Sequence, residues 1–334
     1  MPYKPVTKEQ IQFKETVAQL LDPTTEIGVQ RTAAFAFYDL CASFTKWENG
    51  STEATQLNSG KAISPEDAAR CIQDFIRTAK FIQGLEAAIL DLKKCFPEQQ
   101  LNLLYAGCGP FAPLALAIAA SFSAAEIRFT LLDIHQESLD SAAHLFQVFG
   151  LTDRVADFVL ADATTYQWPS DRHLHLLVSE TMQRALDKEP QVAITQNLAP
   201  QLCEGGILIP ENIRVEAVLC IAAKEFEEDP SAKFRIPLGV LLDLNAATAN
   251  TVSFQPILLK TPDDLTELPH CMLFTTITIY GDLVLNAYES GLTYPMIFYP
   301  LGKIRAAETL EFQYQTGKTP GFTCARLEKA ESQS

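Results

Sequence analysis

Residues 101–116 read LNLLYAGCGPFAPLAL: an apolar run, two glycines at Gly107 and Gly109, then a run of small and apolar residues. A strand that feeds a Gly-x-Gly turn and then a helix brings backbone close to a polar ligand. It also removes the side chains that would block that approach. The unit belongs to sheets whose strands run parallel, so it constrains the fold of the whole central region.

The pattern around it agrees. From about residue 99 apolar runs alternate with helical periodicity. Strands are expected at 101–106, 127–133, 155–160, 174–179 and 206–209, and helices at 111–121, 136–148 and 190–202. This alternation predicts a doubly wound α/β sheet. After Pro210 short β-type runs separated by Pro, Gly, Asn and Asp predict an antiparallel β-barrel or sandwich. Ahead of the sheet, residues 1–48 read as helical. Ile11, Val17, Leu20 and Leu21 form one stripe, and a second apolar face runs from Ile27 to Trp47. Residues 49–62 are polar and read as a loop or lid hinge. Ser64-Pro65-Glu66-Asp67 starts a further helix, with Ser64 at the N-cap, Pro65 at N1 and Asp67 at the capping-box position. It is expected to reach about Phe81, with a break near Gly84. The resulting division is 1–97 as a helical extension or lid, 98–210 as the ligand-binding α/β unit and 211–328 as the β unit. The last few residues read as disordered.

At 334 residues and 47% hydrophobic content the chain has ample material for a packed core. No apolar run is long enough to span a bilayer, and the first residues lack a signal peptide's apolar stretch. The expectation is a cytoplasmic protein without a membrane partner. Eight cysteines lie scattered without a C-x-x-C pair, which predicts reduced, mostly buried thiols. No metal spacing is present; His173 and His175 share a strand face without a third ligand nearby and read as structural. A net charge of −15 argues against nucleic-acid binding and leaves cationic partners open.

The chemistry converges on strand ends. Asp133 closes LLD at the end of the second expected strand, 24 residues beyond Gly109. An acid there accepts hydrogen bonds from two ribose hydroxyls; the competing reading is an N-cap for the helix that follows. Asp162, ending the third strand, is placed to meet an adenine amino group, or else closes a turn on its own backbone. Together these features resemble the S-adenosylmethionine-dependent methyltransferases. The third glycine of G-x-G-x-x-G is absent, since Ala112 occupies its position after Phe111. Such a site binds a nucleoside and an amino acid and has no pyrophosphate to cradle.

The segment from His175 to Ala217 sharpens the resemblance. Ser179-Glu180-Thr181-Met182 opens a loop that Glu189 closes, and a helix, a glycine turn and a strand ending in proline follow. Over about residues 65–325 the chain resembles the protein arginine methyltransferase family. Asp74-Phe75-Ile76-Arg77-Thr78 is similar to its Asp-x-x-Arg-Thr helix. Thr293-Tyr294-Pro295 falls where the family has Thr-His-Trp. The resemblance implies a Rossmann-like methyltransferase core with N-terminal helices and a C-terminal barrel. It implies S-adenosylmethionine held by Arg77, Gly107, Gly109, Asp133, Ile134, Asp162 and Ala163. It also implies pairing with a second copy, although the stretch after Val218 is short for the family's dimerisation arm. The chain departs further at Gln183 and Arg184, where the family's loop has glycine after Ser-Glu-x-Met.

Glu180 and Glu189 make sense on physical grounds as well. Two carboxylates can hold a guanidinium or another cationic amine through charge-assisted hydrogen bonds and aim one nitrogen at an incoming methyl carbon. The expected activity is N-methyl transfer to a cationic or amine-bearing acceptor, whether small molecule, peptide or protein. The alternatives are another acceptor chemistry, or a non-catalytic scaffold that keeps the methyltransferase fold. An enclosed pocket would indicate a small acceptor, and an open acidic groove a protein.

Overall fold

The computed structural model describes residues 7–45, 51–250 and 254–327. The expected helix end at Trp47, the first residues of the polar 49–62 segment and the expected disordered tail lie outside the described residues, wholly or in part. Helix α1 spans Lys8–Leu21 and α2 spans Ile27–Thr45. A capping box between Thr7 and Gln10 starts α1, whose buried face is Phe13, Thr16, Val17 and Leu20. Ile11 is 49% exposed, against expectation. It precedes Phe13 by two residues, about 200° around the helix. The inward direction is set by Phe13, which stacks on Phe149 at 4.2 Å.

The polar segment is more ordered than its composition implied. It carries a hairpin, β1 (Thr55–Leu57) and β2 (Gly60–Ala62), in antiparallel register. Helix α3 (Pro65–Arg70) starts at Ser64, whose side chain accepts from Asp67 N while its hydroxyl donates to Asp67 Oδ2 at 2.8 Å. A 3-10 turn over 71–73 follows, and the chain turns at Asp74 before α4 (Phe75–Cys95). The break therefore falls at Asp74, and α4 runs unbroken through Gly84. A Cβ at Gly84 would lie 2.5 Å from Ile279 Cγ2, so this glycine is required for close packing and breaks nothing.

The central sheet contains β3 (Leu101–Ala106), β4 (Ile127–Asp133), β5 (Val155–Leu160), β6 (Leu176–Ser179) and β7 (Ile207–Ile209). Its order is β5-β4-β3-β6-β7 and every pair is parallel. Helices α5 (Pro113–Ser121), α6 (Gln136–Val148) and α7 (Gln191–Leu198) connect the strands. Alternate residues of each strand face opposite sides. Leu103, Tyr105, Phe129 and Leu131 pack with α1, α2, α4, α5 and α6; Leu104, Ala106, Leu132 and Leu177 pack with α7 and the 163–174 region. The sheet is thus doubly wound.

The rest is antiparallel. β8 (Asn212–Cys220), β9 (Arg235–Asn245), β11 (His270–Tyr280), β12 (Leu283–Leu285) and β13 (Met296–Ile297) form one sheet; β10 (Ile257–Lys260), β14 (Thr309–Gln315) and β15 (Gly321–Leu327) form the other. Val215, Leu273, Phe298 and Phe312 fill the space between the sheets and belong to the same continuous core as the helical layer. None of the eight cysteines is paired; Cys41, Cys108, Cys220 and Cys271 are buried. Among the described residues no helix is long and apolar enough to cross a membrane.

Candidate functional site

Strand register alone assembles the site. Ala106 pairs with Leu132 on one side and Ser179 on the other, so Gly107 lies between Asp133 and Glu180. Asp133 pairs with Leu160, which places Asp162 at the next strand end. The strand order reverses between β3 and β6, and a crevice at the carboxyl ends of such strands is where doubly wound sheets bind ligands. One cavity, about 1000 Å³ of empty space including its mouth, opens here. Its lining includes every predicted site residue: Arg77, Gly107, Gly109, Asp133, Ile134, Asp162, Ala163, Glu180 and Glu189. Among the described residues no cluster of three or more His, Cys, Asp or Glu side chains is arranged to hold a metal ion.

The glycine loop makes room and presents few donors. Gly107 N and Cys108 N both donate to Leu132 O, and Gly109 N donates to Asp133 Oδ2 at 2.9 Å. These N–H groups are committed to the end of β4, so the loop offers no nest for a pyrophosphate. Gly107 has φ +73°, and a Cβ there would lie 2.4 Å from Thr181 Cγ2. Only glycine lets the two strand ends approach this closely. Phe111, by contrast, is buried beneath α2, edge-on to Tyr38 at 5.8 Å, and Ala112 adopts a left-handed conformation at the start of α5.

Asp133 is 6% exposed and accepts from Gly109 N and His135 N. It does not cap α6, because His135 holds the N-cap position. Oδ2 keeps a lone pair for a ligand hydroxyl, while Oδ1 also lies 3.4 Å from His135 Nδ1. Asp162 takes the turn-closing role. Its Oδ1 accepts from Thr164 N and Thr164 Oγ1, closing a local turn, while the residue lines the cavity.

Arg77 and the glutamates form the other end. The buried Arg77 guanidinium donates to Cys71 O at 2.7 Å and to Glu180 Oε1 at 3.3 Å. Burial pushes the Glu180 carboxyl up to about 6, with Arg77 opposing the shift. Burial, followed by the charge of Glu180, pushes Glu189 up to about 7; Gln183, Arg77 and Lys61 pull the other way. Glu189 does not cap α7, since Pro190 occupies that position.

The glutamate loop is held from outside. Ala185, Leu186 and Lys188 all have positive φ, a costly state for residues with a Cβ. Ala185 N donates to Thr275 Oγ1, Tyr314 OH to Leu186 O, and Lys188 N to Pro320 O. Thr275 and Tyr314 lie on strands of the β sheets and Pro320 in the turn between β14 and β15. The hairpin completes the enclosure: Lys61 N donates to Lys188 O at 2.8 Å, and Thr55 Oγ1 meets His135 Nε2 at 2.9 Å. Leu57 and Ala62 line the cavity, whereas no residue of α1 or α2 does. The cover over the site is thus the hairpin, and the two N-terminal helices back the sheet.

Sequence reasoning missed several groups. Gln191, buried at the start of α7, accepts from Thr181 N and Thr181 Oγ1 and so fixes the end of β6. Tyr105 and Cys71 also line the cavity. Tyr105 reads in sequence as ordinary strand core, and Cys71 as one of many scattered thiols. Asp74 accepts from Ser290 Oγ and Gly291 N, tying the start of α4 to the loop that contains Thr293.

A doubly wound parallel core that carries its cavity at the switch point is thus joined to antiparallel β sheets. The particular likeness is to Trypanosoma brucei PRMT1, solved as an enzyme–prozyme heterotetrameric complex with AdoHcy. That match has a TM-score of 0.54 and 12% sequence identity, and covers 78% of this chain and 97% of that one. At such identity the likeness is one of fold. No protein-family model matches the sequence, and no curated protein matches it.

Proposed function

We propose that the chain is an S-adenosylmethionine-dependent N-methyltransferase acting on a guanidinium or amine nitrogen. The observation that carries this reading is the cavity at the switch point that Arg77, Asp133, Asp162, Glu180 and Glu189 line together. The solved neighbour contains AdoHcy, the demethylated form of that cofactor, which supports the same reading. On this proposal 98–210 binds the cofactor, 211–328 braces the glutamate loop, and 1–97 backs and covers the site.

The residues suit that cofactor. The glycine loop leaves space while spending its N–H groups internally, which accommodates a nucleoside linked to an amino acid better than a diphosphate. Asp133 faces the ribose and Asp162 the adenine, with Ile134 and Ala163 beside them; Arg77 meets the carboxylate. When bound, the cofactor supplies a methyl group on a sulfonium. The acceptor nitrogen forms its bond to that methyl carbon as the carbon–sulfur bond breaks, and the nitrogen gives up one proton. Glu180 and Glu189 hold the cation, and this pair, whose proton affinity burial raises, is suited to receive the proton released. Exclusion of water by the hairpin strengthens each of these interactions.

The test is calorimetric titration with S-adenosylmethionine and S-adenosylhomocysteine on wild type and Asp133→Ala, followed by methyl transfer to arginine peptides and small amines. Micromolar binding that Asp133→Ala abolishes supports the cofactor site. Absence of binding to wild type leaves the scaffold alternative.

A further inference from the structure

The inner face of the hairpin reaches from the glutamate loop to the acid at the end of β4. Thr55 pairs with Ala62 and Leu57 with Gly60, so these four residues share a face, and Leu57 and Ala62 line the cavity. Near its tip the hairpin rests on the glutamate loop. A Cβ at Gly60 would lie 2.9 Å from Lys188 O and 3.0 Å from the carbonyl carbon of Glu189, and Lys61 N donates to Lys188 O at 2.8 Å. At its open end it rests on a side chain: Thr55 Oγ1 lies 2.9 Å from His135 Nε2.

His135 in turn stands against Asp133. Its backbone N–H donates to Asp133 Oδ1 at 2.9 Å, and its ring Nδ1 lies 3.4 Å from the same oxygen. The carboxylate favours a proton on Nδ1, which leaves Nε2 with a lone pair for the Thr55 hydroxyl proton. One ring, itself lining the cavity, thus joins the cover to the acid proposed to take the ribose. The two ends of the hairpin are fastened differently. The glutamate end is held through backbone, with Gln56 Nε2 on Lys318 O at 2.7 Å beside it. Among the described residues, the other end is tied to α6 and its cap by the Thr55–His135 bond and by Ser51 N to Glu137 Oε2 at 3.4 Å.

We infer that His135 is a positioning residue that latches the hairpin to Asp133, so that release of the cofactor requires the Thr55–His135 bond to break. This rests on the proposed function and adds the residue that governs how long the cofactor stays. Substitution of the His135 side chain leaves its backbone N–H on Asp133 Oδ1, so the latch can be removed while that support of the carboxylate is kept.

Stopped-flow kinetics with S-adenosylhomocysteine tests the latch. A neutral hydrogen bond is worth a factor of about two to ten, so Thr55→Val and His135→Phe should each release the ligand faster by that factor. Association should be no slower and the thermal midpoint within a few degrees of wild type, whereas general damage to the site would slow association. The double variant should release no faster than either single one, because both remove the same bond. Thr55→Ser, which keeps the hydroxyl, should match wild type. A wild-type release rate in Thr55→Val, effects that multiply in the double variant, or Thr55→Ser as fast as Thr55→Val would each overturn the inference and leave the cofactor reading standing. Failure of the wild type to bind S-adenosylhomocysteine removes both.

Discussion

Burial at Glu189 has consequences in both stability and binding. Its carboxyl is raised to about 7 and that of Glu180 to about 6, above the ordinary range near 4.3. A raised acid ionises at the expense of the folded state. The stability it contributes is full below about pH 4 and is lost as the pH climbs through 6 to 7. Glu189→Gln should therefore stabilise the protein by about 2–3 kcal/mol at pH 8 and by little at pH 4, as read from denaturant melts. The same substitution should lower turnover about 100-fold or more with cofactor affinity retained. Below pH 7 a cationic acceptor must displace a proton, so its KM should rise up to tenfold per pH unit. Gly107→Ala meets Thr181 Cγ2 and a positive φ, and should cost about 2–4 kcal/mol; adding Thr181→Ser removes that methyl and should restore about half. At this scale much was legible in the sequence. Asp133 and Glu180 stood out because they follow apolar strands of a parallel sheet, and Glu189 because it closes the loop that Glu180 opens; the structure brings all three to one cavity. Gln191 and Tyr105 did not, because a buried amide and a strand tyrosine acquire meaning only from what the fold sets opposite them.

At the scale of elements, helices and parallel strands followed closely from periodicity, and the errors have particular causes. Gly84 suggested a break because sequence cannot show that Ile279 will pack against it; the turn falls at Asp74, which is drawn outward by Ser290 and Gly291. The hairpin over 55–62 escaped notice because its strands are three residues long and mostly polar. Its stability comes from its neighbours: Lys188, His135 and Lys318. Gly60→Ala would push it off the backbone of Lys188 and Glu189, since a Cβ has no flexible side chain to displace there. The expected outcome is a thermal midpoint within a few degrees of wild type and a cofactor dissociation rate several-fold faster in stopped flow, because the hairpin covers the site without supporting the core.

Across the whole molecule, one hydrophobic core runs from Phe13 and Phe37 through Leu103 and Phe129 to Leu273 and Phe312. Each large side chain buried in it contributes roughly 1.5–3 kcal/mol relative to exposure. Deleting residues 7–45 would strip the cover from Phe149, which contacts Phe13 and Phe44, and from Phe111, which contacts Tyr38. The truncated chain should be insoluble or bind a hydrophobic dye, and the intact protein should unfold in a single calorimetric transition.

Three left-handed residues in the glutamate loop imply that the loop's shape is borrowed. Isolated from the β sheets, the stretch from Ala185 to Lys188 would relax to commoner angles and carry Glu189 out of line. The instructions for placing that carboxylate are therefore written some 90 to 130 residues downstream, at Thr275, Tyr314 and Pro320. Heritable variation in the last third of the chain would thus surface as altered chemistry at an acid it never changes.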